Sequence, residues 1–302
     1  MSVLHAPTPG SRAALAAALW PAAGSAADTA MIEDWASGSG RSLGRGDLAV
    51  LIRHRPGGLL VGMLEGRPVS AVATVGYDNG FCFTSVPIVD PGFRGRAIEE
   101  ATVELALRHL ADSPVGLEAP PGMRDFFAAH GFYARWRTIA FAGPVPAPRP
   151  THARVVPLSA ELLGQAVALD ARCFPADRMS LATDWACGQD RHAVGFVQNK
   201  QLLGYGVIRP GFGAARVGPL YATGVRVAAA LFDALTEHAR RTGARAVAMD
   251  IPEPNTAAMA LCESRGLSFD TETLRIVRPG SQGLQRDVDL TVLYGLTSRE
   301  LG

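Results

Sequence analysis

IVDPGFRGRAIEE, residues 88–100, decides how the chain is to be read. An apolar strand meets a proline, an aromatic residue, an Arg-Gly-Arg cluster and then a helical pattern. That order builds a phosphate-holding turn, with backbone N–H groups aimed at an anion and a helix N-terminus behind them. Glu99 stands where a phosphate's charge is least welcome.

Working outward, the stretch lies inside a series of elements that occurs twice. In the first half, helical patterns cover Ser11 to Trp20 and Thr29 to Ser37. LLVGMLEGR and PVSAVATVGY read as two strands joined by a Glu-Gly-Arg turn, and FCFTSVPIV as a third strand. A helix over Ala97 to Ala111, the strand VGLEAP, the glycine-closed helix GMRDFFAAHG and the strand FYARWRTIAFAG come next. The second half offers the strand ARVVPL, the helix SAELLGQAVALDARCF and a hairpin turning at Asn199-Lys200. AARVGPLYATG, VRVAAALFDALTEHARRTG, RAVAMDIPEP, NTAAMALCESRG and LSFDTETLRIV then alternate strand and helix, and VDLTVLYGL adds a strand.

Between the halves lies GPVPAPRPTH, Gly143 to His152, with four prolines in ten residues. Such density makes a semi-rigid spacer. The expectation is an α+β protein of two tandem domains, 1–143 and 153–302, joined by a linker over 144–152. Each domain is a mixed, mostly antiparallel sheet flanked by helices.

Composition narrows the function. The 302 residues are 48% hydrophobic and 19% charged with a formal net charge of +1, so a basic stripe for nucleic acid is not expected. A membrane span of about 18 apolar residues is absent from the sequence. Cys82, Cys173, Cys187 and Cys262 are scattered and form no C-x-x-C pair, which points to free thiols in a reducing cytoplasm. The seven histidines show no ligand spacing, so no metal is expected. No G-x-G-x-x-G follows a strand, which removes a dinucleotide-binding reading.

The order of elements, with Val89, Pro91, Phe93, Arg94 and Gly95 in one half and Asn255, Ala258 and Gly266 in the other, resembles the GNAT superfamily of acyl-CoA-dependent N-acyltransferases, present in tandem. DARCFPADR from Asp170, GYGVIRPG and VGPLYA resemble its YitH-like tandem subgroup. The resemblance implies acetyl-CoA or another acyl-CoA as co-substrate, and a small-molecule or peptide amine as acceptor. By it, Val89, Arg94, Gly95 and Arg96 in the first half would contact the co-substrate. Leu220, Thr223, Gly224, Arg226, Ala228 and Asn255 are the corresponding group in the second. Relative to the family pattern, Ala97 and Glu99 replace small residues, Phe127 replaces an acid tyrosine, and Cys262 takes that tyrosine's place in the second half. A thiol near pKa 8.5 could protonate a departing thiolate, which favours the second half as the active one. On an amphipathic helix Cys262 reads more simply as a small packed residue than as an acid, and Asn255 serves equally well as a helix N-cap.

A carboxylate that could take the amine's proton is missing from FCFTSVPIV and AARVGPLY. Tyr205, Tyr221, Asp170 and Asp177 remain as candidates, although Asp170, Asp177 and Arg178 would also satisfy one another. Two functions stay open: an N-acyltransferase, and a non-catalytic tandem module that binds acyl-CoA or an amine or scaffolds a partner. A homodimer is compatible with both.

Overall fold

The structure, a computed structural model, describes residues 19–37, 43–54, 58–95, 97–110, 112–281 and 286–302. The first half contains β1 (Trp20–Ala23), α1 (Ala26–Ser37), α2 (Asp47–His54), β2 (Leu59–Leu64), β3 (Arg67–Gly76), β4 (Cys82–Thr84), β5 (Ile88–Val89), α3 (Ile98–Leu110), β6 (Val115–Ala119), α4 (Arg124–Ala129) and β7 (Tyr133–Pro144). The second contains β8 (Val155–Pro157), α5 (Ala160–Cys173), α6 (Met179–Cys187), β9 (His192–Gln198), β10 (Gln201–Arg209), β11 (Ala215–Ala222), α7 (Val225–Arg241), β12 (Ala246–Pro252), α8 (Thr256–Ser264), β13 (Ser268–Arg278) and β14 (Leu293–Gly295).

Local chemistry explains most of these boundaries. Glu65 and Gly66 both adopt positive φ (50° and 76°), the primed geometry that lets β2 and β3 keep their twist through a two-residue loop. Asn199 and Lys200 do the same for β9 and β10 at 50° and 64°. On α7, Val227, Leu231, Leu235 and Ala239 are buried along one face, while His238, Arg240 and Arg241 sit at the end where the helix dipole favours cations. Trp20 opens a strand rather than closing a helix. Pro21 comes directly after it, and the residue before proline is pushed out of the helical region. The rest of that expected helix, 11–18, lies outside the described residues. FCFTSVPIV forms two strands, because Pro87 cannot donate to a ladder and the chain changes neighbours there.

The described strands join into one sheet in the order β1-β2-β3-β4-β6-β13-β7-β12-β11-β10-β9-β8, with β5 also on β3 and β14 also on β11. The halves therefore exchange their late strands. β13 runs antiparallel to β6, pairing Leu274 with Ala119 through Arg278 with Val115. β7 in turn pairs with β12, Ala246 with Pro144 through Pro252 with Thr138.

The cores share the same plan. Ile32, Trp35 and Leu51 of α1 and α2 share one buried cluster with Leu169, Leu181 and Trp185 of α5 and α6 and with Leu293. On the sheet's other face, α3 and α4 cover Leu117 and Ala119, and α7 and α8 cover Val247, Met249 and Ile251. Each large apolar side chain so buried contributes roughly 1.5–3 kcal/mol. The central cluster draws on both halves at once.

Candidate functional site: two strand-to-helix corners

In the first half, β4 runs parallel to β6 for one short step, Cys82 beside Val115 and Phe83 beside Gly116. The chain then leaves β6, and Ile88 and Val89 of β5 turn back to pair with Ala71 and Ser70 of β3. With no ladder among the described residues between β5 and the Leu117–Ala119 end of β6, the two strands part in a V.

Residues 90–97 join β5 to α3 at the mouth of that V. Asp90 Oδ1 accepts from the Gly92 N–H (2.8 Å), and the Phe93 N–H donates to the Asp90 carbonyl, making one tight turn over Pro91–Phe93. Gly92, Arg94 and Gly95 are exposed, and Arg94 Nη2 reaches the Trp35 carbonyl at the end of α1 (3.0 Å). Gly95 is left-handed at φ 71°, and Ala97 is left-handed too, at φ 59°. An alanine in that region gives up about 1–2 kcal/mol relative to ordinary backbone. The next residue, Ile98, holds it there, fully buried against Val69, Val89, Ala101 and Leu105. Left-handed backbone thus stands at Gly95, where glycine allows it freely, and at Ala97, where a side chain must be accommodated. Glu99 is half-buried in the first turn of α3 beside Glu100. Arg96 lies outside the described residues.

In the second half, β11 and β12 also part after three parallel pairs, Ala215–Val217 with Val247–Met249. This V is filled. Leu220 and Tyr221 pair with Gly295 and Leu293 of β14, and the Leu296 N–H donates to the Asp250 carbonyl (2.9 Å). Asn255 holds the filling segment in place: its Oδ1 caps α8 by accepting from the Ala258 N–H, while its Nδ2 donates to the Leu290 and Leu293 carbonyls (3.0 Å each).

The link from β11 to α7 is two residues long, Thr223 and Gly224. Gly224 is extended (φ 173°), and the Thr223 N–H is spent on the Leu203 carbonyl (2.9 Å). Leu220 and Ala228 are fully buried in the core, and Arg226 is exposed on α7. The second-half co-substrate residues expected from sequence therefore divide into core, cap and surface, around a wedge that the chain's own β14 occupies.

Of the catalytic candidates, Asp170 and Tyr221 come together, but around Arg178 rather than at an opening. Arg178 donates from Nε and Nη2 to Asp170 (2.9 and 3.0 Å), from Nη2 to Tyr221 Oη (3.0 Å) and Thr297 Oγ1 (2.7 Å), and from Nη1 to the Leu301 carbonyl (2.8 Å). Burial pushes the phenols of Tyr221 and Tyr205 well above their ordinary range, which suits a structural proton donor and not a base. Cys262 is on the opposite face of the sheet from this cluster, fully buried in the core that Leu231, Leu235 and Ala258 share. Burial pushes its thiol up to about 12. That placement is the packed-residue alternative. Asp177 is on the surface, paired with Arg286 (2.8 Å).

Two carboxylates that sequence reading missed occupy matching places. VGLEAP on β6 and VAMDIP on β12 align residue for residue, and put Glu118 and Asp250 at the same position of each half. Their side chains project away from α3, α4, α7 and α8, since Leu117 and Met249, one residue before, face those helices. Glu118 is fully buried and accepts from Thr138 (3.0 Å), Thr273 (2.6 Å) and Arg275 Nε (2.7 Å), the last two borne by the exchanged β13. Arg275 lies between the Phe83 and Trp136 rings at 4.8 and 5.1 Å. For Asp250, burial alone would raise the pKa, but Arg299 and Arg216 overrule it and hold the carboxyl low. The shared hexapeptide pattern is the signal the sequence carries for them.

Known proteins agree with this architecture. Residues 166–292 match the family model for an acetyltransferase (GNAT) domain. The holothin acyltransferase of Pseudoalteromonas sp. (strain SANK 73390) is 27% identical over 208 residues, 67% of this chain and 69% of that protein. A crystal structure from Pyrococcus horikoshii superposes with a TM-score of 0.72 at 21% identity, covering 94% of this chain and 96% of the other. A tandem GNAT protein from the clavulanic acid biosynthesis pathway superposes with a TM-score of 0.59 at 18% identity, over 86% and 97%. The match over residues 166–292 and the acyltransferase relative make the chain an enzyme of the acyltransferase class, on a mixed α+β fold like that of the tandem GNAT structure. No helix among the described residues is long and apolar enough to cross a membrane.

Proposed function

We propose that the chain moves an acetyl or other short acyl group from acyl-CoA to an amine of a small molecule or peptide, and that the first half holds the acyl-CoA. In this reading the diphosphate rests on the turn over residues 90–97, the pantetheine arm enters the V between β5 and β6, and the protein belongs with the YitH-like tandem group. One observation carries the assignment to the first half. Gly95 and Ala97 keep the left-handed backbone of an anion cradle at an exposed corner, whereas the second-half corner is two residues long beside a wedge filled by β14.

The chemistry then asks three things of this chain. The V brings the thioester carbonyl beside strand N–H groups near Val89, where an oxyanion would gain hydrogen bonds. The amine passes its proton through a water to the Glu118 carboxylate, which Arg275, Thr138 and Thr273 hold in place. Phe127, buried on the inner side of α4, donates no proton, so CoA leaves as the thiolate. A thiol of pKa near 8.5 makes that leaving group tolerable near neutral pH. The free cysteines suit a reducing cytoplasm.

A second reading, binding without turnover, draws support from Phe127 and from the arginine-locked Glu118. Calorimetric titration with acetyl-CoA, followed by thiol release in the presence of an amine panel, separates the two. Arg94→Glu is expected to weaken acetyl-CoA binding at least tenfold and Arg226→Glu to leave it unchanged. The opposite pattern removes the first-half assignment, and binding without thiol release across the panel favours the non-catalytic reading.

A further inference from the structure

A cavity of about 730 Å³ opens in the second half beside the C-terminal end of α7. The 17 residues of α7 separate it by about 25 Å from the Thr223–Gly224 corner. Its walls include Arg191, Arg209, Gly211, His238, Thr242 and Arg245. Its volume falls in the range of small-molecule sites.

The charge around it is unbalanced. Asp47, fully buried at the start of α2, accepts from Arg209 Nε and Nη2 (2.8 and 2.9 Å) and from Arg191 Nη2 (2.9 Å), so two guanidiniums share one carboxylate. Both stack on the Trp185 ring, at 3.8 Å for Arg191 and 4.6 Å for Arg209, which fixes their planes. The Arg191 side chain is 3% exposed, yet its Nη1 has no hydrogen-bond partner among the described residues. A buried charged donor left without a partner is costly, and native structures rarely keep one without reason. Asp190 is the carboxylate on the same wall; it is exposed, and exposed Arg245 offsets it.

We propose that this cavity binds a small oxyanion, a carboxylate or phosphate group of a metabolite-sized molecule, on the unpaired edge of Arg191. A planar, rigidly stacked guanidinium with two free N–H donors is suited to such a group, and an arriving anion would balance the second cation at Asp47. The site is separate from the corner at residues 90–97, so it stands or falls independently of where acyl-CoA binds.

Calorimetry on the full chain with inorganic phosphate, and separately with succinate, tests it. One of the two is expected to bind the wild type with a dissociation constant below ~10 mM, and the better probe names the source of the oxyanion. Arg191→Gln is expected to weaken that binding about tenfold, and Arg245→Gln, on the exposed rim, severalfold. Arg245→Gln also serves if Arg191→Gln does not fold. Arg94→Glu is expected to leave the binding intact, which separates this site from the phosphate turn. Absence of binding by both probes, equal affinity in the folded variants, or loss in Arg94→Glu would overturn the proposal.

Discussion

The corner at residues 90–97 and the corner at Thr223–Gly224 start from the same arrangement, a strand that parts from its parallel neighbour and feeds a helix. In the first, eight residues intervene, Pro91, Gly92, Arg94 and Gly95 among them exposed, with the backbone held left-handed at Gly95 and Ala97. In the second, two residues intervene, and β14, clamped by Asn255, fills the space between the parted strands. The family match over residues 166–292 falls on the half whose parted strands are filled by the chain's own β14. Changes that disturb the filling of the second corner should cost stability and spare acyl-CoA binding; changes in the first should weaken acyl-CoA binding.

The largest expected effect is in the second half. Arg178→Leu leaves the Asp170 carboxylate buried and unpaired and releases Tyr221, Thr297 and the Leu301 carbonyl. The loss should be about 3–5 kcal/mol in urea unfolding. A loss below about 1 kcal/mol would mean that the cluster is not holding the chain's last residues in the core.

Cys262 gives a pH signature of the same closed region. Its folded pKa, about 12, lies above the unfolded value near 8.5, so its contribution is fully present below about pH 8.5 and is lost as pH rises toward 12. Stability should fall by up to about 1.4 kcal/mol per pH unit between pH 9 and 11, and Cys262→Ala should flatten that slope. Equal slopes in the two proteins would break the point.

Asn255→Ala removes a cap and two clamps, for about 1–3 kcal/mol, with acetyl-CoA affinity unchanged. A loss of affinity instead would reopen the second corner as a binding site. Smaller still is a paired test on glycines. Gly95→Val forces a branched side chain into φ 71° and should cost about 1–2 kcal/mol along with acetyl-CoA binding. Gly224→Ala, at an extended φ with open space around it, should change neither.

Much of the fold was legible in the sequence because its signals are local. Glu65-Gly66, Asn199-Lys200, Gly131, Gly243 and Gly266 end elements wherever they occur, and apolar periodicity fixes what lies between them. Two short helices, α2 and α6, went unread; eight or nine residues give too little periodicity to declare themselves. The exchange of β7 and β13 was invisible for a different reason. Both strands alternate in the same way, and nothing in a strand's own sequence says which edge it will take. The site was less legible than the fold. Residues 88–100 carry the local pattern of a phosphate turn, whereas β14, which fills the space between β11 and β12, lies about 70 residues beyond the Thr223–Gly224 corner and leaves no mark in its local sequence. Asp170 and Tyr221, both candidates for catalysis by residue type, meet at Arg178; Tyr221 is 43 residues from it along the chain, a contact that sequence spacing does not specify.

Hydrogen exchange with and without acetyl-CoA compares the two corners directly. Slowed exchange over the N–H groups of Gly92 to Ile98, with Thr223 to Ala228 unchanged, is the predicted result; slowing confined to Thr223 to Ala228 would contradict it.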